Sequence, residues 1–364
     1  MEKNEILLIY GDEIQSMACT LVREAGLADL IGDRKKRIGL KPNLVVSRSA
    51  DGGATTHPEI ARGIVNYLQE QGFGNIVILE GSWVGDSTPE AFSRCGYAAL
   101  AKECGVELID TQKDTCHIRD CKGMPIEICD SALAVDFMIN LPVMKGHCQT
   151  RITCALKNNK GVISNREKRR FHTLGLHKPI AHLNTVAKND FILVDGICGD
   201  PDFEEGGNPV FAGRLYAARD PVLCDAWTAV QMGCAVTEIP YIGLSEKLGV
   251  GSGDLSKVTV RELSPPRDAA LAGNRKPSGI VRRYAEYINE DQACSACYAA
   301  LIFALSRLDG GVLRKLPGKI CIGQGFRGKS GQAGVGRCTA DFSASVAGCP
   351  PRGTEIIELL RRLK

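Results

Sequence analysis

Through the first 265 residues, short β-branched runs alternate with longer stretches whose apolar positions recur every three or four residues. The short runs predict strands over residues 6–10, 37–41, 75–79, 106–110, 135–141, 191–195 and 257–263. The longer ones predict helices over 12–25, 58–71, 89–103, 179–188, 221–232 and 238–248. Several of these helices open with proline, whose fixed φ suits a first turn, and Gly72 and Gly105 stand where a helix must stop. Strands that are apolar throughout, alternating with helices, predict an α/β fold: a mainly parallel sheet with helices on both faces. A proline- and glycine-bearing stretch then separates off a small C-terminal cysteine-rich α/β region. The expected plan is a domain over 1–265, which could itself form two lobes split near 140–190, a linker over 266–279, and a region over 280–364.

In a parallel sheet, ligands bind at the carboxyl ends of strands. Four polar or glycine-bearing loops fall there: Lys41-Pro-Asn43, Glu80-Gly-Ser82, Pro142 to His147, and Asp195 to Asp200. They are expected to line one functional edge, with Lys41, Asn43, His57, Ser82, Lys145, Arg151 and Asp195 as substrate-binding residues. Each loop taken singly is equally well explained as a plain turn.

Composition narrows the class. The chain has 364 residues, 44% hydrophobic and 24% charged, the balance of a folded globular protein. Its apolar runs fall short of the roughly 18–20 residues that span a bilayer, so no membrane partner is expected. The first apolar stretch is too short for a secretory signal, which points to the cytoplasm. Net charge is +3, but residues from Arg267 onward carry +8 and the rest −5. That segment lacks the aromatic patterning of a nucleic-acid surface. An anionic cofactor or an acidic redox partner protein accounts for its charge.

Sixteen cysteines change the picture most. Without an export signal, thiols and metal ligands are the expected states, not disulfides. Cys19, Cys104, Cys224 and Cys234 fit buried apolar positions. Cys294 and Cys297 open a helix-like run, Cys338 closes a glycine-rich loop, and Cys349 precedes a proline. A close pair, a distant third and a fourth before proline is a recurrent set for an iron–sulfur cube. Glycines let backbone N–H groups approach the sulfurs, and a helix N-terminus favours the anion. A structural zinc site is the alternative, although zinc ribbons pair their ligands on two tight knuckles. Cys321 lies in a strand pattern and is expected in the core. Gly336-Arg-Cys338 with Val346-Ala-Gly-Cys349-Pro-Pro351 resembles the cluster-binding end of hydrogenase small subunits and of the corresponding complex I subunit. Over about the last 60 residues, that resemblance implies a [4Fe–4S] cluster, one readily lost in air.

The central segment carries Lys145, His147, Arg151, Lys157, Lys160, Arg166, Lys168, Arg169, Arg170 and His172 close together. Such a cluster suits a small anionic ligand, a carboxylate or phosphate. A solvated basic helix face is the plainer explanation. Against it, the polar residues interleave with Ile152, Leu156, Val162 and Ile163, so Lys157 is expected to be partly buried and in need of a partner. With Thr150 as cap, Lys157 would lie two turns into a helix and reach back toward His147.

Lys41-Pro-Asn43, Thr55-Thr-His-Pro58, Lys145-Gly-His147 with Lys157-Asn158, Val194-Asp-Gly196, and Asp220-Pro-Val222 with Asp225 make the first 265 residues resemble the domain-of-unknown-function family 362. Members of that family often carry an iron–sulfur module. A more distant resemblance is to the catalytic domain of nickel-pincer lactate racemases, on the order and spacing of His147, Lys157 and His172. It implies a cofactor-bearing lysine and histidines that ligate metal or move protons. Glu80-Gly-Ser82 and Thr56-His57-Pro58 depart from the racemase pattern.

Three functions remain open: a redox enzyme with His147, Lys157 and His172 as catalytic residues and a second, unidentified cofactor; a non-catalytic electron-transfer or cluster-carrier protein; and a racemase-like metal-dependent isomerase. No glycine-rich dinucleotide fingerprint follows the first strand. A homodimer is compatible with any of the three.

Overall fold

The computed structural model describes residues 1–147, 149–207, 209–265 and 283–363. The expected linker, 266–279, lies outside them. The chain divides into two compact units, Met1–Gly146 with Thr150–Arg275, and His147–Gln149 with Lys276–Lys364.

Strands before the second unit are β1 (Glu5–Tyr10), β2 (Ile38–Pro42), β3 (Ile76–Glu80), β4 (Glu107–Asp110), β5 (Cys116–Asp120), β6 (Pro125–Cys129), β7 (Phe137–Leu141), β8 (Lys145–His147), β9 (Arg151–Thr153), β10 (Phe191–Gly199), β11 (Val210–Ala218) and β12 (Thr259–Glu262). Eight form one sheet in the order β12-β1-β11-β10-β7-β2-β3-β4. Its strands run parallel except β11, which is antiparallel to both β1 and β10. The chain passes from β2 outward to β3 and β4, then returns to place β7 on the other side of β2. The order therefore reverses between β2 and β7, and a crevice is expected at their carboxyl ends.

The two-residue period of a strand explains how both faces are covered. Leu7, Ile9, Leu40, Ile78 and Leu193 belong to one core, shared with the helices Ile14–Glu24, Pro58–Glu70 and Tyr97–Cys104. Their neighbours Ile6, Leu8, Ile192 and Val194 pack on the opposite face with Leu223 and Trp227. On that face, too, Val77 and Leu79 meet Leu156, Phe171, Ile180 and Ile242. Each fully buried Leu or Ile contributes roughly 1.5–3 kcal/mol, which is why these runs become central strands.

Several expectations need correction. The helix expected over 89–103 is two, Thr88–Arg94 and Tyr97–Cys104, because Gly96 adopts φ +82° and ends the first. β10 continues to Gly199, and β11 pairs with it although its pattern is broken by Gly213 and Arg214. No helix begins after Thr150: β9 occupies 151–153 and the next helix is Ala155–Asn158, so Lys157 is its third residue.

In the second unit, β13 (Ile288–Glu290), β14 (Ile320–Ile322), β15 (Ala333–Val335) and β16 (Ala344–Val346) form a parallel sheet in that order. The helices Ser295–Ser306 and Gly353–Arg362 pack together. The latter buries Ile356, Leu359 and Leu360 on one stripe and ends in Arg361 and Arg362, which complement its dipole. This is the small cysteine-rich α/β region anticipated from the sequence. Cys321 is only half-buried and accepts a hydrogen bond from Asn289 Nδ2 (3.5 Å).

Candidate functional site

At the carboxyl end of β2, Lys41 is fully buried and forms an ion pair with Glu80 at the end of β3. Its Nζ also donates to Pro42 O (3.0 Å). Burial lowers its pKa, with Glu80 opposing. The pair leaves no room for a side chain beside it: a Cβ on Gly161 would lie 2.3 Å from Glu80 Oε2 and 2.6 Å from Lys41 Nζ. Lys168, also buried, donates to the carbonyls of Gly81 and Ser82 (both 2.9 Å). Burial lowers its pKa to about 8, against the pull of Glu80.

At the end of β7 a second pair of lysines gathers. Lys145 donates to Ala54 O, to Glu204 O (2.8 Å) and to Asn43 Oδ1 (3.3 Å). Lys157 forms an ion pair with the Glu204 carboxylate. Burial lowers the Lys145 pKa to about 8, Glu204 raising it and Lys157 adding to the depression. Lys41 and Lys157 thus have carboxylate partners, whereas among the described residues Lys145 and Lys168 bond only neutral oxygens.

Asn43 is tied to the same edge, its N–H donating to Thr56 Oγ1 (2.8 Å) and Thr56 Oγ1 donating to Leu141 O (2.7 Å). Ser82 Oγ donates to Leu44 O (2.7 Å). His57 caps the helix Pro58–Glu70, and both its backbone N–H (2.8 Å) and its Nδ1 (2.7 Å) bond Asp195 Oδ2 on β10. Burial would lower the His57 pKa, but Asp195 outweighs it and raises the value to about 9. The ring is therefore cationic at neutral pH and donates to the carboxylate. The loops 43–57 and 200–207 are stitched together over these strand ends: Asp200 N donates to Gly53 O (3.0 Å) and Gly207 N to Gly52 O (3.1 Å).

Lys41, Asn43, His57, Ser82, Lys145, Lys157 and Asp195 thus come together at one edge of the sheet. Arg151 does not join them: it is exposed, at φ +66°, with its guanidinium 3.8 Å from Glu238. His172, on the helix Asn165–Leu174, meets Lys160 Nζ (3.2 Å). His147 Nδ1 accepts from the Gln149 N–H (3.1 Å). Lys168, expected only as one member of the basic cluster, turns inward to this edge, and neither Glu80 as an ion-pair partner nor Glu204 is marked by the sequence pattern. The run Glu204-Glu205-Gly206-Gly207 after β10 was the available signal for the last.

In the second unit, Cys294 is the N-cap of the helix Ser295–Ser306 and Cys297 lies in its first turn. Burial, then the neighbouring Cys294, Cys349 and Cys338 thiols, push the Cys297 pKa up to about 12. Gln324 Nε2 donates to Cys294 Sγ and Arg327 Nε to Cys338 Sγ (both 3.5 Å). Gly336 adopts φ +92°, and a Cβ there would lie 3.7 Å from Cys297 Sγ. Tetrahedral zinc, with Zn–S about 2.3 Å, holds its sulfurs under about 4 Å apart. Among the described residues, the ligand group with all atoms within 4.8 Å of one another is Cys154, Cys224 and Asp225, in the core of the first unit. In the Cys154–Cys224–Asp225 group, burial raises the Cys224 pKa and brings that of Asp225 to about 7.

Residues 38–230 match the family model described as domain of unknown function (DUF362). A thylakoid-associated protein of Synechocystis sp. is 22% identical over 280 residues, 74% of this chain and 85% of that protein. The solved lactate racemase apoprotein from Thermoanaerobacterium thermosaccharolyticum is distantly similar, with 15% identity and a TM-score of 0.36. That match covers 58% of this chain and 54% of the racemase, so it spans about half the racemase chain.

Proposed function

The chain belongs to the DUF362 family, whose function is unknown, and on that premise we propose that it is an iron–sulfur redox enzyme acting on a small anionic substrate or organic cofactor. Cys294, Cys297, Cys338 and Cys349 would hold a [4Fe–4S] cluster, and the lysine-rich strand ends of the first unit would hold the anion. The reading is carried by Cys294 and Cys297 at one helix N-terminus, with the thiols of Cys349 and Cys338 adding to the rise in the Cys297 pKa. A cluster held there would supply one-electron transfer. Arg327 and Gln324, donating to two of the sulfurs, offset the charge of four thiolates and favour the reduced state of whatever they surround.

The anion site rests on unbalanced charge. Lys145 and Lys168 are buried cations without carboxylate ion-pair partners among the described residues, whereas the charge of His57 is met by Asp195. An uncompensated buried charge is costly, and an anionic ligand would relieve it. Lys41, paired with Glu80, positions the strand ends. Lys157 and Glu204 hold the covering loop, and His57 can give up a proton when Asp195 no longer needs it. His147 and His172 are proposed as further proton carriers.

The test is anaerobic purification or reconstitution, followed by iron, sulfide and zinc analysis and an electron paramagnetic resonance spectrum of the dithionite-reduced protein. Roughly four irons and four sulfides per chain are expected, lost in Cys297→Ser. One zinc per chain and no sulfide would overturn the reading.

A further inference from the structure

Cys116 and Cys129 face each other directly across the β5–β6 hairpin, and their Sγ atoms are 3.0 Å apart. At the turn end, Cys121 and Met124 exchange both backbone hydrogen bonds. Paired positions alternate along an antiparallel ladder. Counting back through Asp120↔Pro125 to Cys116↔Cys129 therefore makes the cysteines a non-hydrogen-bonded pair. Such pairs bring their Cα atoms to about 4.5 Å, inside the range of about 4.4–6.8 Å that a disulfide bridges. Cys116 is half-exposed and Cys129 fully buried, so one sulfur is open to a reagent and the other lies behind it. Cys154 and Cys224, 3.9 Å apart, are both fully buried and offer no such entry.

We propose that Cys116 and Cys129 form a reversible dithiol–disulfide site, separate from the four C-terminal cysteines, that exchanges with small disulfides of the glutathione class. Cys116, as thiolate, attacks one sulfur of the small disulfide and expels one thiolate, leaving a mixed disulfide on Cys116. Cys129 attacks the Cys116 sulfur and expels the second thiolate, which leaves with the Cys129 proton. Two protein thiols are oxidised by two electrons, and one small disulfide is reduced to two thiols. Burial holds both thiols protonated at neutral pH, which suits a slow, persistent switch better than a fast catalyst.

The site also reaches the strand ends. Cys129 Sγ donates to Thr111 O (3.5 Å), Thr111 N donates to Glu80 O (3.0 Å), and Thr111 Oγ1 donates to Gly161 O (2.6 Å). A disulfide removes the S–H donor at the start of this relay, one residue from the Lys41–Glu80 pair.

The test uses the full chain under nitrogen, equilibrated with oxidised glutathione, quenched with N-ethylmaleimide and mapped by peptide mass spectrometry. A peptide pair joined at Cys116 and Cys129, two hydrogens lighter than the dithiol and restored by dithiothreitol, is expected. Cys129→Ala should trap glutathione on Cys116, and Cys116→Ser should leave Cys129 unmodified. Alkylation of both cysteines in the oxidised wild-type sample, or linkage of Cys116 to another cysteine, would overturn the proposal. The wild-type map decides the matter even if either variant fails to fold.

Discussion

His57 and Asp195, 138 residues apart in the chain, share one buried carboxylate oxygen through two bonds. The His57 pKa rises from 6.5 unfolded to about 9 folded, despite the opposing effect of burial. A raised pKa contributes stability that is fully present below 6.5 and is lost as pH climbs through 9. Urea unfolding should therefore show stability falling by a few kcal/mol between those values. Asp195→Asn should flatten that slope, and an unchanged slope would mean that the pair does not govern it. Asp225 behaves oppositely in chemistry but alike in sign. Burial, only partly offset by Tyr241 and the Leu156 N–H, raises its pKa from 3.8 to about 7. The folded state retains a proton that the unfolded chain releases, so stability falls as pH rises from about 4 to 7. Asp225→Asn keeps an acceptor for Leu156 N and cannot ionise. It should stabilise the protein more at pH 8 than at pH 4, by a few kcal/mol, read from urea midpoints.

Between elements, the Lys41–Glu80 pair joins the carboxyl ends of the adjacent strands β2 and β3 in a site from which water is excluded. Lys41→Met should strand the buried Glu80 carboxylate and cost about 3–5 kcal/mol. Lys41→Met combined with Glu80→Leu should recover most of that loss in chemical denaturation, because desolvation of both charges disappears together. Failure of the double variant to recover would mark the pair as necessary for packing the strand ends. Neither charge betrays its burial in the sequence, since a lysine at a strand end reads equally as solvated. The helix Asn165–Leu174 shows the same ambiguity. Its run Arg166 to Arg170 looks like an anion-attracting surface. Folded, Arg166 pairs with Glu127, Arg170 with Glu167, and Lys168 turns inward to Gly81 and Ser82. Arg166 is thus balanced by Glu127, brought in from β6, and Arg170 by its own helix, whereas Lys168 meets the backbone carbonyls that follow β3.

For the whole molecule, the cluster reading predicts two populations of thiol. In anaerobically prepared protein, Cys294, Cys297, Cys338 and Cys349 should resist alkylation until an iron chelator is added under mild denaturation, whereas half-exposed Cys19 and Cys104 should react at once. Equal reactivity of all six would argue against a cluster. The alternation of short apolar runs and amphipathic stretches was enough to establish the α/β class, most of the parallel strands and the cysteine-rich region, because burial on both faces demands continuous apolar strands and helices with one apolar stripe. The strand-end position of Lys41, Asn43, Ser82 and Lys145 followed from the same alternation, whereas Asp195 lies within β10, which pairing with β11 carries on to Gly199. β11 escaped notice because Gly213 and Arg214 interrupt its pattern, and its strand character comes from pairing with β1 and β10 on either side. The partners of the lysines, the His57–Asp195 bond and the approach of Cys116 to Cys129 were decided only by the tertiary structure. Each joins positions remote in the chain, and the strength of a charge or a thiol contact depends on distance and on excluded water, quantities that spacing along a sequence does not carry.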